Sequence, residues 1–309
     1  MSLSPNTAQE KHLPPMTLSH AVVCVPSLAG ACDYYVRLLQ QRVVSRDVIT
    51  RAEALAWHAP QAEGAASVLL QPPSGAPVYL RLVEQATEAA YQPGTHFGWA
   101  ALELTVADAD AVHALLVANA KPIIAPPKPL SFTNNLYPMQ ARGPGGEALY
   151  LNEVRGNLPT NDLPIAQCWV DHLFIAVLGC QDRAASLAFY QSLLGATASD
   201  FYEIPYTTIN LAFGLPLTQL HALSTVADER NVLFELDQYP PQATAKPTTD
   251  RRLSAGVACI GVRLASAPIA RIAQINWLTP PSRRAHAPYF DAMVGVLKGP
   301  DGELIELVW

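Results

Sequence analysis

Short apolar runs, many of them alternating with polar residues, dominate this chain, and long helical stripes are few. Alternation with a period of two marks half-buried strands. In the first half it predicts strands over residues 17–25, 43–49, 66–71, 78–83, 100–106, 136–142 and 149–154. A helix is predicted over 28–40, where Ala31, Tyr34, Tyr35, Leu38 and Leu39 fall on one face at helical spacing. A second is predicted over 108–120, with Asp108 as its N-cap. The second half predicts strands over 168–177, 199–204, 207–212, 232–236, 257–264, 293–297 and 304–309, and helices over 181–194 and 267–274. Strand, helix, then several strands is the order of a βαβββ unit, and each half reads as two of them.

The halves repeat. The first opens on Leu18-Ser19-His20-Ala21-Val22-Val23, and its helix carries Tyr34-Tyr35 and Leu38-Leu39. The second opens on Val170-Asp171-His172-Leu173-Phe174-Ile175, and its helix carries Phe189-Tyr190 and Leu193-Leu194. Gly143-Pro144-Gly145-Gly146-Glu147 ends the first half and Gly299-Pro300-Asp301-Gly302-Glu303 the second, each before an apolar strand. Tyr35 and Tyr190 are 155 residues apart, and Gly143 and Gly299 are 156 apart. Two landmarks whose offsets agree to within one residue indicate a tandem duplication. The expected layout is a disordered tail over 1–15, one module over 16–155, a linker over 156–167 rich in Asn, Pro and Gly, and a second module over 168–309.

Composition narrows the function. Half the residues are hydrophobic and 15% are charged, ample for packed cores. The net charge of −6 argues against a nucleic-acid partner, which needs a basic stripe. No apolar run approaches the ~20 residues of a membrane span. Residues 1–15 are polar and do not read as a secretory signal. The five cysteines lack metal-finger spacing and read as reduced thiols, so the expected location is cytoplasmic. The expected partner is a small molecule, with the chain a monomer or homodimer. Proline-rich stretches over 122–129 and 240–247 read as stiff loops over a pocket mouth.

The early histidine, the F/Y-Y-x-x-L-L helix and the closing G-P-x-G-E strand together resemble the vicinal oxygen chelate superfamily. That group spans glyoxalase I, extradiol dioxygenases and bleomycin-resistance proteins. The resemblance covers nearly the whole chain beyond the tail. It implies an α+β fold of two tandem glyoxalase-like modules, each of paired βαβββ units forming an open half-barrel cup. It also implies a divalent metal (Zn, Fe, Mn or Ni) held by one side chain from each of four strands.

Carried over position by position, the resemblance implies His172, Glu235 and Glu306 as metal ligands in module two, with Val257 at the fourth position. Glu306 is the candidate catalytic residue. In module one His20 is kept, but Arg81, Ala101 and Tyr150 stand where ligands would. No metal is expected there; Arg81 and Tyr150 suit an organic anion instead. Tyr137 and Tyr289 lie in two segments that read as pocket walls, and with His20, Arg81 and Tyr150 form the candidate substrate-binding set. The function implied is a metal-dependent lyase, isomerase or dioxygenase acting on a small oxygen-rich substrate. The alternatives are a metal-free protein of the bleomycin-resistance type, taking an aromatic or cationic compound, and a degenerate scaffold.

Overall fold

The computed structural model describes residues 16–130, 132–196, 199–247, 251–265 and 275–309. The expected tail over 1–15 and the expected helix over 267–274 lie outside the described residues. Four units of four strands each follow one another among the described residues. The first holds β1 (Met16–Val25), β2 (Arg42–Val48), β3 (Ala66–Gln71) and β4 (Tyr79–Glu84). The second holds β5 (Gly98–Val106), β6 (Ile123–Ala125), β7 (Leu136–Arg142) and β8 (Ala148–Val154). The third holds β9 (Val170–Cys180), β10 (Phe201–Pro205), β11 (Leu220–Asp228) and β12 (Asn231–Gln238). The fourth holds β13 (Gly256–Leu264), β14 (Thr279–Arg284), β15 (Ala292–Lys298) and β16 (Leu304–Val308).

These strands make two mixed sheets of eight, and the pairing crosses the modules. The first sheet runs β14-β15-β16-β13-β1-β4-β3-β2, joining units four and one. The second runs β10-β11-β12-β9-β5-β8-β7-β6, joining units three and two. Each cup therefore takes one unit from each module: cup one from the first sheet, cup two from the second.

Helices α1 (Leu28–Cys32), α3 (Ala109–Ala118) and α4 (Arg183–Leu194) start where polar side chains cap their free N–H groups. Ser27 accepts from Gly30 N, Asp108 from Ala111 N and Asp182 from Ala185 N. A π-helical turn, Asp33–Leu38, continues α1. One main apolar core joins the helices to both sheets, through Tyr35, Leu82, Ile260 and Leu307 on one side and Trp99, Leu151, Tyr190 and Phe234 on the other. Separate apolar clusters line the inner faces: Val22, Trp57 and Cys259 in cup one, Ile175, Val177, Tyr206 and Leu223 in cup two.

Some expected elements change. The run expected as a strand over 207–212 is a helix, α5 (Thr207–Phe213), stopped by Gly214 in the left-handed conformation at φ 64°. Its β-branched residues are overridden by burial of Thr208, Ile209 and Asn210. Helix α2 (Arg51–Ala56) was not expected, although Thr50 and Glu53 form a capping box that the sequence displays. Strands β6, β11 and β14 are additional.

The closing signature has a mechanical reason. Glu303 folds back over Gly299, where a Cβ would lie 1.9 Å from its Oε1; Glu147 does the same over Gly143, at 2.0 Å. Each glutamate then accepts a 2.5 Å hydrogen bond from the helix tyrosine of its own module, Tyr190 to Glu303 and Tyr35 to Glu147. Tyr35 and Glu147 belong to units in different sheets, as do Tyr190 and Glu303, so each bond ties the sheets together. Gly146 and Gly302 sit at φ 88° and 85°, which a side chain resists.

Candidate functional site

The inner strands set the site positions. In cup one His20 on β1 is level with Gly261 on β13, which is level with Glu306 on β16. Arg81 on β4 is level with Val22, two residues on from His20. In cup two Ile175 on β9 is level with Glu103 on β5, which is level with Tyr150 on β8, and Glu235 on β12 is level with Val177. The two cups match position for position. The counterpart of His20 is therefore Ile175, not His172, and the offset of 155 set by the helix tyrosines leads to the same residue.

Cup one is filled by its own side chains. Both oxygens of Glu306 are fully engaged: Oε1 accepts from Trp57 Nε1 and Arg284 Nη1, each at 2.8 Å, and Oε2 from His20 Nε2 and Tyr289 OH, each at 2.9 Å. Burial alone would raise its pKa, but Arg284 and the donated bonds outweigh burial and hold it at about 2. His20 therefore presents Nε2–H to the carboxylate, with Nδ1 3.2 Å from Ser19 Oγ. Its ring lies across Gly261, where a Cβ would fall 2.2 Å from Cε1. Beside this network Arg81 pairs with Glu53, which also accepts from His286 at 2.8 Å. His20, Glu53, Arg81, Tyr289, Glu306, Trp57 and Arg284 are all buried.

Cup two is open. It holds a cavity of about 160 Å³ with Phe132, Phe174, Tyr202, Ile204 and Leu223 on its walls and Glu103, Glu235, Tyr150, Tyr206 and Asn152 at its polar end. Phe132 stacks on Tyr202 at the rim, centroids 5.2 Å apart. Pro126 and Lys128, from the first proline-rich stretch, line the same mouth. Asn152 Nδ2 donates to Glu103 Oε2 at 2.7 Å, and Tyr206 OH donates to Glu235 Oε1 at 2.5 Å. Burial, then the neighbouring charge of Glu235, pushes Glu103 well above the usual carboxylate range. Burial raises Glu235 as well, although the bonds from Tyr206 and Asp237 oppose it.

The proposed metal ligands are thus separated. Glu306 stands in cup one and Glu235 in cup two, because β16 pairs through β13 with β1 rather than with β12. His172 lies three residues before the level position on β9, partly exposed, its Nδ1 3.3 Å from Asp171 Oδ1. Val257 pairs with Val23; the position level with His20 is Gly261. In cup two the level position on β5 is Glu103, where Ala101 was expected. Glu103 carried a signal in the alternation Ala101, Glu103, Thr105 along one strand face.

Of the candidate substrate-binding residues, His20, Arg81 and Tyr289 belong to the filled cup and Tyr150 to the open one. Tyr137 faces away from both: its hydroxyl donates to Asp110 at 3.2 Å and Arg155 stacks on its ring. Leu136 and Pro138, on either side in the alternation, line cup two instead.

A metal of the glyoxalase type needs donors from four strands. Cup one offers a histidine and a glutamate bonded to each other, an arginine and a glycine. Cup two offers two carboxyls, a tyrosine and an isoleucine. Neither set fits. Among the described residues no three His, Cys, Asp or Glu side chains come together as an ion would require.

No family model and no curated protein matches the sequence. Solved structures do. Glyoxalase I from Zea mays superposes with a TM-score of 0.62 at 15% identity, over 95% of this chain and 92% of that one. A single-residue variant of it gives 0.63 at 17% identity, over the same shares of each chain. This chain has the glyoxalase I fold. A putative dioxygenase from Bacillus subtilis gives 0.58 at 12% identity, over 94% of this chain and 84% of that one. The glyoxalase fold therefore extends across both modules. No described helix is long and apolar enough to cross a membrane.

Proposed function

We propose that cup two binds one small organic molecule directly on its own side chains, with no metal as intermediary. The carrying observation is the contrast between the cups. Cup one has every oxygen of its central carboxylate occupied, whereas cup two keeps an open, aromatic-walled cavity with carboxyl groups at its end. Apolar walls with a few converging polar groups are the usual make-up of a ligand site. Tyr206 and Asn152 hold Glu235 and Glu103 in place; the walls exclude water around whatever enters.

Filling the cavity tests this. Ile175 lines it on β9, and Ile175→Trp should weaken binding of aromatic fragments about tenfold or more, ~1.4 kcal/mol. Ligand-observed NMR with chelator present should read the loss, while the fold remains intact by circular dichroism. Fragments that bind the Ile175→Trp variant as well as the wild type would remove the proposal. One equivalent of Zn, Fe, Mn or Ni carried by the protein and lost in Glu235→Gln would restore the metal-dependent reading.

A further inference from the structure

We infer that the molecule held in cup two carries a protonated nitrogen on an aromatic or apolar body; this rests on the cup being a ligand site. Two carboxyl groups line its polar end, and a third is buried beside them. Glu103 comes from β5, and Glu235 and Asp237, two residues apart and so on one face, come from β12. Asp237 is 1% exposed, and its Oδ1 has no hydrogen-bond partner. The other groups facing the acids are neutral: Tyr150 and Asn152 from β8, Tyr202 from β10, Tyr206 at the start of α5, and Tyr239 beyond β12. Among the described lining residues the one cation is Lys128, at the mouth, 3.5 Å from Thr207 Oγ1.

Uncompensated buried carboxyls resist ionising: burial raises all three, and the charge of Glu235 adds to the rise at Glu103 and Asp237. In the empty cup they keep their protons to higher pH than ordinary carboxyls do. A bound ammonium or amidinium supplies the missing positive charge and N–H donors for Glu103 and Glu235. Protons then leave the floor as the cation enters. The aromatic walls suit the rest of such a molecule, since ring faces also attract cations. A carboxylate ligand would face the same acids and be repelled.

Three probes of matched shape separate the possibilities: phenethylamine, phenethyl alcohol and phenylacetate. Titration calorimetry in two buffers of different ionisation enthalpy reads both affinity and proton release. The amine should bind at least about tenfold tighter than the alcohol and release protons to the buffer. Its affinity should rise with pH over a range in which the amine itself stays charged. Glu235→Gln and, as a second variant, Glu103→Gln should each erase the preference, so that amine and alcohol bind alike. Thermal unfolding checks that both are folded. If the alcohol or phenylacetate binds as well as the amine, and Ile175→Trp still abolishes binding, the inference fails and the cup reading stands. Binding by no probe, or binding untouched by Ile175→Trp, sinks both.

Discussion

Glu306→Gln should destabilise the protein by about 3–5 kcal/mol, because removing one partner strands buried charges and donors. The carboxylate accepts from His20, Trp57, Arg284 and Tyr289. An amide has one acceptor oxygen, and its NH2 would face donors. Arg284, whose Nη2 already lacks a partner, would lose its counter-charge. A fall in thermal midpoint of about 10 °C is the scale to expect. Differential scanning calorimetry decides it: a midpoint unchanged within a degree or two would mean that the network contributes nothing. The same pairing sets acid sensitivity. Glu306 and Glu53 are both held at about 2 in the folded state, below an ordinary 4.5. Groups with depressed folded pKa values stabilise above the unfolded value, and that contribution is lost as pH falls from 4.5 toward 2.

Gly299→Ala should cost about 3 kcal/mol, since the new Cβ displaces Glu303 and leaves a carboxyl and the Tyr190 hydroxyl buried without each other. Gly143→Ala should do the same to Glu147 and Tyr35. The control is pH. Burial raises Glu303 and Glu147 from 4.5 to about 7, against the bonds from their tyrosines. A raised folded pKa stabilises fully below the unfolded value, and the stabilisation is lost as pH rises from 4.5 through about 7. The scale is on the order of 3 kcal/mol for each glutamate. Taken with the acid-side loss, wild-type stability should peak near about pH 5. Glu303→Gln should flatten the decline between that peak and neutral pH while keeping an acceptor for Tyr190. A wild-type melting temperature that climbs steadily from pH 5 to about 8 would contradict the assignment.

Much of the architecture is readable in the residues. Alternation places β1, β5, β9 and β13 within a few residues, and the repeated tyrosine and G-P-x-G-E landmarks mark the tandem halves. The capping residues Ser27, Asp108 and Asp182 start their helices as side-chain chemistry requires. Even the register of His20 was available: an offset of 155 leads to Ile175, whereas the histidine three residues earlier drew the eye by type. The helix at Thr207 was not available, because a run of Thr, Ile and Leu scores as strand until its burial is known.

The linear pattern settles the units and the tandem repeat of the landmarks that close each module. It leaves open which units share a sheet. An inward-facing carboxylate looks the same whichever strand lies beside it, and β1 finds β13 some 240 residues away. That long-range pairing sends Glu306 to His20 and Arg284, and Glu235 to Glu103. One cup is filled with compensated charge and the other is left open with uncompensated acids, a difference that arises only when strands distant in the chain are brought side by side.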